Sequence, residues 1–191
     1  MLASTIGSAF IWGVIGTLTV FYSCLILVCA ALCLPIDRHR RLAHRLATLW
    51  ARTIFLCIPS WRLSVTGRRH LEARRPYLLV SNHQSMFDIM ALFCLYRQFK
   101  WIAKASLFTI PFAGWGMAMA GYVKLERGRQ SSIRRTYEQA ARWLANGISV
   151  FFFPEGTRSH TGELGPFQRG AFALAVATGV SGDAAGLAAP T

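Results

Sequence analysis

Residues 1–36 contain no Asp, Glu, Lys, Arg or His, which limits the folds open to this chain more than any other feature. From Phe10 to Leu34 the run FIWGVIGTLTVFYSCLILVCAALCL holds 25 apolar or weakly polar residues. As a helix it would be about 37 Å long, more than the ~30 Å hydrocarbon core of a bilayer. A secretory leader would carry positive charge ahead of its apolar core. Here the charge follows, in DRHRRLAHR, which orients the C-terminal side of the helix, and everything after it, toward the cytoplasm. Gly13 and Gly16 leave a bent or re-entrant helix open as the alternative to full crossing.

Charge sharpens this reading. Lys and Arg number 21 against 8 Asp and Glu, a formal +13, and anionic membrane or nucleic acid are the usual partners of such a chain. Ten of the arginines lie in residues 37–75, directly after the apolar helix, and no nucleic-acid motif accompanies them. The partner expected is therefore a phospholipid membrane and no nucleic acid. In RLAHRLATLWARTIFLCIP basic residues alternate with Leu42, Leu46, Leu49 and Trp50 at helical spacing. Two readings fit this segment, an amphipathic helix in the headgroup layer or a helix packed on the protein itself. Cys24, Cys29, Cys33, Cys57 and Cys94 show no paired C-x-x-C spacing and are expected to be buried free thiols.

Past residue 60 the pattern is that of an α/β protein with a largely parallel sheet and helices on both faces. WRLSVTG, YLLVS, FKWIAK, YVKL and ISVFFF read as strands, the last apolar enough for a strand covered on both faces. MFDIMALFCLY reads as a helix and PFAGWGMAMAG as a small-residue helix or turn. A further helix, capped by Ser131 or Ser132 and ended by Gly147, would align Ile133, Tyr137, Ala141 and Leu144. The expected organisation is a membrane-anchoring segment over 1–59, an α/β domain over 60–180 and an atypical tail over 181–191. GAFALAVATG should lead into another core strand, but SGDAAGLAAPT follows, rich in Ala and Gly. The expectation is a sheet one or two strands short, through a frayed tail, a truncation or a change of reading frame.

Reactive groups in open α/β sheets gather past the carboxyl ends of strands. NHQSMFD follows one predicted strand and PEGTRS another, so parallel strands would bring both to one edge. His83 and Asp88, five apart, would stand some 140° apart on a straight helix. They meet if His83 lies in the turn before the helix and Asp88 in its first turn. Asp88 would then fix the tautomer of the imidazole and raise the basicity of its other nitrogen, a pair suited to deprotonating a hydroxyl. Gly156 lets backbone approach a ligand, Thr157 offers a hydroxyl, and Arg158 a fork suited to phosphate. Glu155 is a poor phosphate ligand and would orient Arg158 or a backbone amide. Lys104, Lys124 and Arg127 follow predicted strands and add cationic reach.

Together NHQSMFD and FPEGTRS resemble the signature of the glycerolipid acyltransferase family, an H-x-x-x-x-D dyad with a later F-P-E-G-T-R block. The bacterial 1-acyl-sn-glycerol-3-phosphate acyltransferases are the most similar branch, and the resemblance runs from about residue 60 to 180. It implies His83 as general base with Asp88 as its partner. The acceptor phosphate would be held by Arg127 and by Glu155, Gly156, Thr157 and Arg158, with Lys104 nearby. The substrates implied are lysophosphatidic acid and an acyl thioester, acyl-CoA or acyl carrier protein, with no other cofactor and no metal. Glycerol-3-phosphate or another lysophospholipid is the alternative acceptor. The place implied is a bacterial inner membrane, with the catalytic domain on its cytoplasmic side. Leu125 stands where the family commonly has isoleucine, and no proline-containing fourth motif follows residue 180. A truncated, silent lipid-binding membrane protein is the competing reading.

Overall fold

The computed structural model describes residues 2–33, 35–58, 60–72, 75–95, 97–159, 163–179 and 182–185. Its helices are α1 (Leu2–Cys33), α2 (Arg41–Cys57), α3 (Asp88–Phe93), α4 (Ala113–Met119), α5 (Gln130–Ala145) and α6 (Arg169–Thr178). Its strands are β1 (Leu78–Ser81), β2 (Phe99–Lys104), β3 (Val123–Leu125), β4 (Ser149–Phe152) and β5 (Gly182–Ala185). Two compact units result: Met1–Thr66 with Met90–Arg97 and Ser106–Gly121, and Gly67–Ile89 with Gln98–Ala105 and Tyr122–Thr191.

In the first unit, Thr5–Cys33 is long and apolar enough to cross a membrane, and only 22% of its most apolar window is buried. Phe10, Trp12, Phe21, Val28 and Leu32 stand exposed. The core helix of a water-soluble domain would hide such side chains, so the chain is membrane-associated through α1. Asp37 caps α2, its carboxylate accepting the amides of Arg41 (2.9 Å) and Leu42 (2.8 Å). α2 packs on α1 and buries Ala43, His44, Ala47, Ala51 and Ile54. Trp50 Nε1 donates to Thr19 Oγ1 at 3.1 Å, and the Tyr22 and Thr53 hydroxyls pair at 2.8 Å. The small inner face lets the helices approach, while Leu42, Leu49 and Leu56 stay exposed between Arg41, Arg45 and Arg52. α4 also packs on α1, where a Cβ on Gly116 would stand 3.1 Å from Ser23 Oγ.

The second unit is the parallel sheet, in the order β3-β2-β4-β1-β5, every observed pairing being parallel. Leu78, Ile102, Val123, Val150 and Phe152 meet Ala140 and Leu144 of α5 and Leu174 of α6 in one core. Phe99, Trp101 and Phe151, alternate residues of β2 and β4, are buried as well. That is why β4 is apolar at both parities. α5 and α6 touch so closely that a Cβ on Gly170 would overlap the Tyr137 hydroxyl.

Four expectations are corrected here. WRLSVTG forms no strand; residues 61–67 run without a ladder into a 3₁₀ turn at Arg68–His70, because alternation makes a strand only where a neighbour offers one. The serine cap of α5 is absent. That helix starts at Gln130 without a side-chain cap, and Ser132 Oγ instead accepts the Glu126 amide at 3.1 Å. Of the five cysteines expected to be buried, Cys94 is, whereas Cys24 and Cys57 are exposed and Cys29 and Cys33 half-buried, because an apolar helix that faces outward leaves its thiols there too. In β2, Lys100 is fully buried, its Nζ 5.0 Å from the Trp143 ring centre and 5.8 Å from that of Tyr122. Within SGDAAGLAAPT, finally, Gly182–Ala185 pairs with β1 as an edge strand, since main-chain hydrogen bonding needs no β-favouring side chain. Pro190 lies outside the described residues.

Candidate active site

Because β1 and β4 are adjacent and parallel, the turn after Ser81 and the turn after Phe152 open on one edge of the sheet. His83 occupies the first turn and Asp88 begins α3, which brings the two side chains together. His83 Nδ1 donates to Asp88 Oδ2 at 2.9 Å, the side chains being 15% and 12% exposed. The same oxygen accepts the amides of Gln84 (2.7 Å) and Ser85 (2.8 Å). Burial alone would raise the Asp88 carboxyl. The imidazole bond and the Ser85 and Gln84 amides outweigh it and hold the group below its ordinary 3.8. An ionised Asp88 can only accept. Nδ1 therefore carries the proton, and Nε2 is the nitrogen available as a base.

Glu155, only 7% exposed, bridges two segments by main-chain bonds. Its Oε1 accepts the His83 amide at 2.9 Å and its Oε2 the Gly165 amide at 3.0 Å. The Ser159 amide donates to the His83 carbonyl at 2.8 Å, and the Gln168 amide to that of Pro154 at 2.8 Å. These bonds tie the loop after β4 to the turn after β1. The Phe153 ring stacks on the imidazole with centroids 4.0 Å apart.

Gly156 takes φ +71°, and a Cβ built there would lie 3.6 Å from Arg127 Nη2. The Arg127 guanidinium from the end of β3 therefore lies against the turn that Glu155 anchors. Arg127, Thr157 and Arg158 are all exposed. Lys104, also exposed, ends β2 in register with Leu125; it stands on the same edge, outside the network around His83. Among the described residues no group of three or more His, Cys, Asp or Glu side chains is placed to hold a metal ion. The arrangement offers an oriented base beside exposed cations, suited to an anionic substrate with a hydroxyl to deprotonate.

Sequence reasoning missed Phe153, Gly165, Ser159 and the amides of Gln84 and Ser85. Main-chain donors carry no side-chain signature, and Phe153 is hidden at the end of an apolar run.

The chain is similar to known proteins. The chain is 39% identical over 173 residues to a 1-acyl-sn-glycerol-3-phosphate acyltransferase of Chlamydomonas reinhardtii, covering 90% of this chain and 51% of that one. It is 38% identical to a chloroplastic 1-acyl-sn-glycerol-3-phosphate acyltransferase of Arabidopsis thaliana, over 94% of this chain and 51% of that one. The chain thus spans about half the length of these curated relatives. The crystal structure of the 1-acyl-sn-glycerophosphate acyltransferase PlsC from Thermotoga maritima superposes with a TM-score of 0.78 at 26% identity, over 95% of this chain and 72% of that one. The family model described as Acyltransferase matches residues 62–182, the span that carries every side chain of the site, and the chain belongs to the acyltransferase family.

Proposed function

We propose that the protein moves a fatty acyl group from an acyl thioester to the free hydroxyl of lysophosphatidic acid, giving phosphatidic acid. The observation that carries this is the His83–Asp88 pair, with Asp88 Oδ2 clamped by two amides in a chain of this family. His83 Nε2 takes the hydroxyl proton as the oxygen attacks the thioester carbonyl carbon. The C–O bond forms, the C–S bond breaks, and the leaving thiolate takes the proton back from the imidazolium. Asp88 stays ionised throughout and holds the ring. Arg127 and Arg158, with Thr157, the Gly156 backbone and Lys104, hold the acceptor phosphate, and Glu155 braces the wall that carries His83. Similarity to 1-acyl-sn-glycerol-3-phosphate acyltransferases supports lysophosphatidic acid as acceptor, and an apolar lysolipid suits a chain anchored by α1. Residues 1–59 serve as the anchor and 60–180 as the catalytic domain. The arginines after α1 favour the cytoplasmic side, as in a bacterial inner membrane.

The test is thiol release from palmitoyl-CoA, and in parallel from palmitoyl-acyl carrier protein, by membranes containing the protein, with and without lysophosphatidic acid. Release that depends on the acceptor and disappears in His83→Ala supports the reading. Acceptor-independent release, or none from folded protein with either donor, sinks it.

A further inference from the structure

Phe153 takes no part in the chemistry above, yet it is the residue that covers a face of the base. Its ring lies 4.0 Å from the His83 imidazole with 20° between the planes. Behind it Phe151, fully buried, meets Phe153 edge-on at 5.1 Å and itself packs on Phe99 at 5.9 Å, so the stacked ring has a fixed backing. The Asp88 bond at Nδ1 resists rotation about Cβ–Cγ. The Phe153 face resists swinging of the whole imidazole about Cα–Cβ.

We propose that Phe153 is a positioning residue for the His83 base: its π face keeps Nε2 in one direction and attracts the positive charge that the imidazole gains with the acceptor's proton. The second half of this statement rests on the acyl-transfer reading; the first half does not. Stacking of neutral rings is already favourable, and the attraction grows when one ring becomes a cation in a partly dry site. The added attraction exists only once the proton has moved, so it acts on the barrier and leaves substrate binding alone.

Phe153→Leu keeps an apolar side chain and removes the π face; Phe153→Tyr keeps the face. Two measurements on the full chain in detergent micelles separate the halves. The first is kcat and KM for lysophosphatidic acid. Phe153→Leu should lower kcat about five- to tenfold with KM unchanged within about twofold, and Phe153→Tyr should stay close to wild type. The second is ¹³C relaxation at the Cε1–H of His83, identified by its loss in His83→Ala. The wild-type ring should be as ordered as the backbone, and in Phe153→Leu it should loosen. Equal impairment by Leu and Tyr, or an unchanged kcat in Phe153→Leu, would overturn the charge-stabilising role. A His83 ring equally ordered in wild type and Phe153→Leu would overturn the positioning role. If the wild type shows no acceptor-dependent turnover, the acyl-transfer reading fails, and ring order still decides whether Phe153 positions His83.

Discussion

The carboxyl ends of β1 and β4 hold His83, Asp88 and Glu155 by bonds to the main chain, whereas the cations of the same sheet edge, Lys104, Arg127 and Arg158, stand in solvent. The first wall is ordered before any substrate arrives. Each of its carboxylates is removed from most water, which is costly, and each offsets that cost with two or three hydrogen bonds. The second wall makes no comparable demand on the fold, because an exposed guanidinium keeps its hydration. The contrast assigns different work to each. Damage to the buried wall should appear in kcat and in stability together, and damage to the exposed wall in substrate affinity alone.

The largest effect expected is that of His83→Ala. Removing the base should cost roughly 10²–10⁴ in acceptor-dependent thiol release and lower the melting temperature as well, since Asp88 loses one of its three donors and Phe153 the ring stacked on it. Glu155→Gln comes next. The substituted side chain can accept from only one of the two amides it faces, so either the His83 or the Gly165 N–H is left unpaired. That should destabilise the protein by about 1–3 kcal/mol and lower kcat about tenfold as His83 loses its brace. Thermal melting in detergent alongside turnover checks it. An unchanged melting point would erase the distinction between the walls.

Much of the buried wall was legible because its signals are periodic or stereochemical. The unbroken apolar run of β4 marked a strand covered on both faces, and the strand–helix alternation implied parallel neighbours, which put both motifs on one edge. The His83–Asp88 spacing allows the two to meet if a turn is followed by a helix start, and the structure provides one. What escaped depends on partners distant in sequence. Nothing in GELGP reports that the Gly165 amide meets a carboxylate ten residues earlier. WRLSVTG has the composition of a strand and lacks a neighbour to pair with. Nothing in FKWIAK reports that Lys100 is buried with its Nζ beside the aromatic rings of Tyr122 and Trp143.

The exposed wall predicts a smaller and differently shaped response. Arg127→Ala or Arg158→Ala should raise KM for lysophosphatidic acid about tenfold, with kcat and melting temperature little changed. Arg127→Lys should recover part of the loss, since a point charge replaces the fork. Raising salt from low to physiological ionic strength should weaken wild-type binding more than that of either alanine variant, because exposed charges are screened. A fall in melting temperature for Arg127→Ala would mean that its guanidinium supports the Gly156 turn, and the exposed wall would then have a structural function as well.

The smallest effect concerns acid. The Asp88 carboxyl is held below its ordinary 3.8 in the folded protein, so its ionised form is favoured by folding. The stability this contributes is fully present above the unfolded value and disappears as pH falls through the lower folded one. Asp88→Asn removes that dependence while keeping an oxygen for one or two of the three donors. Wild type should therefore be the more stable of the two at pH 6, by urea unfolding in detergent, and its advantage should shrink as pH falls below about 4. If the gap between the two stays constant from pH 6 to pH 3, the amides of Gln84 and Ser85 bind Asp88 no better ionised than neutral. The buried wall would then owe its order to packing, with Phe153 on His83 as the leading contact, and the difference between the walls would be one of burial and not of charge.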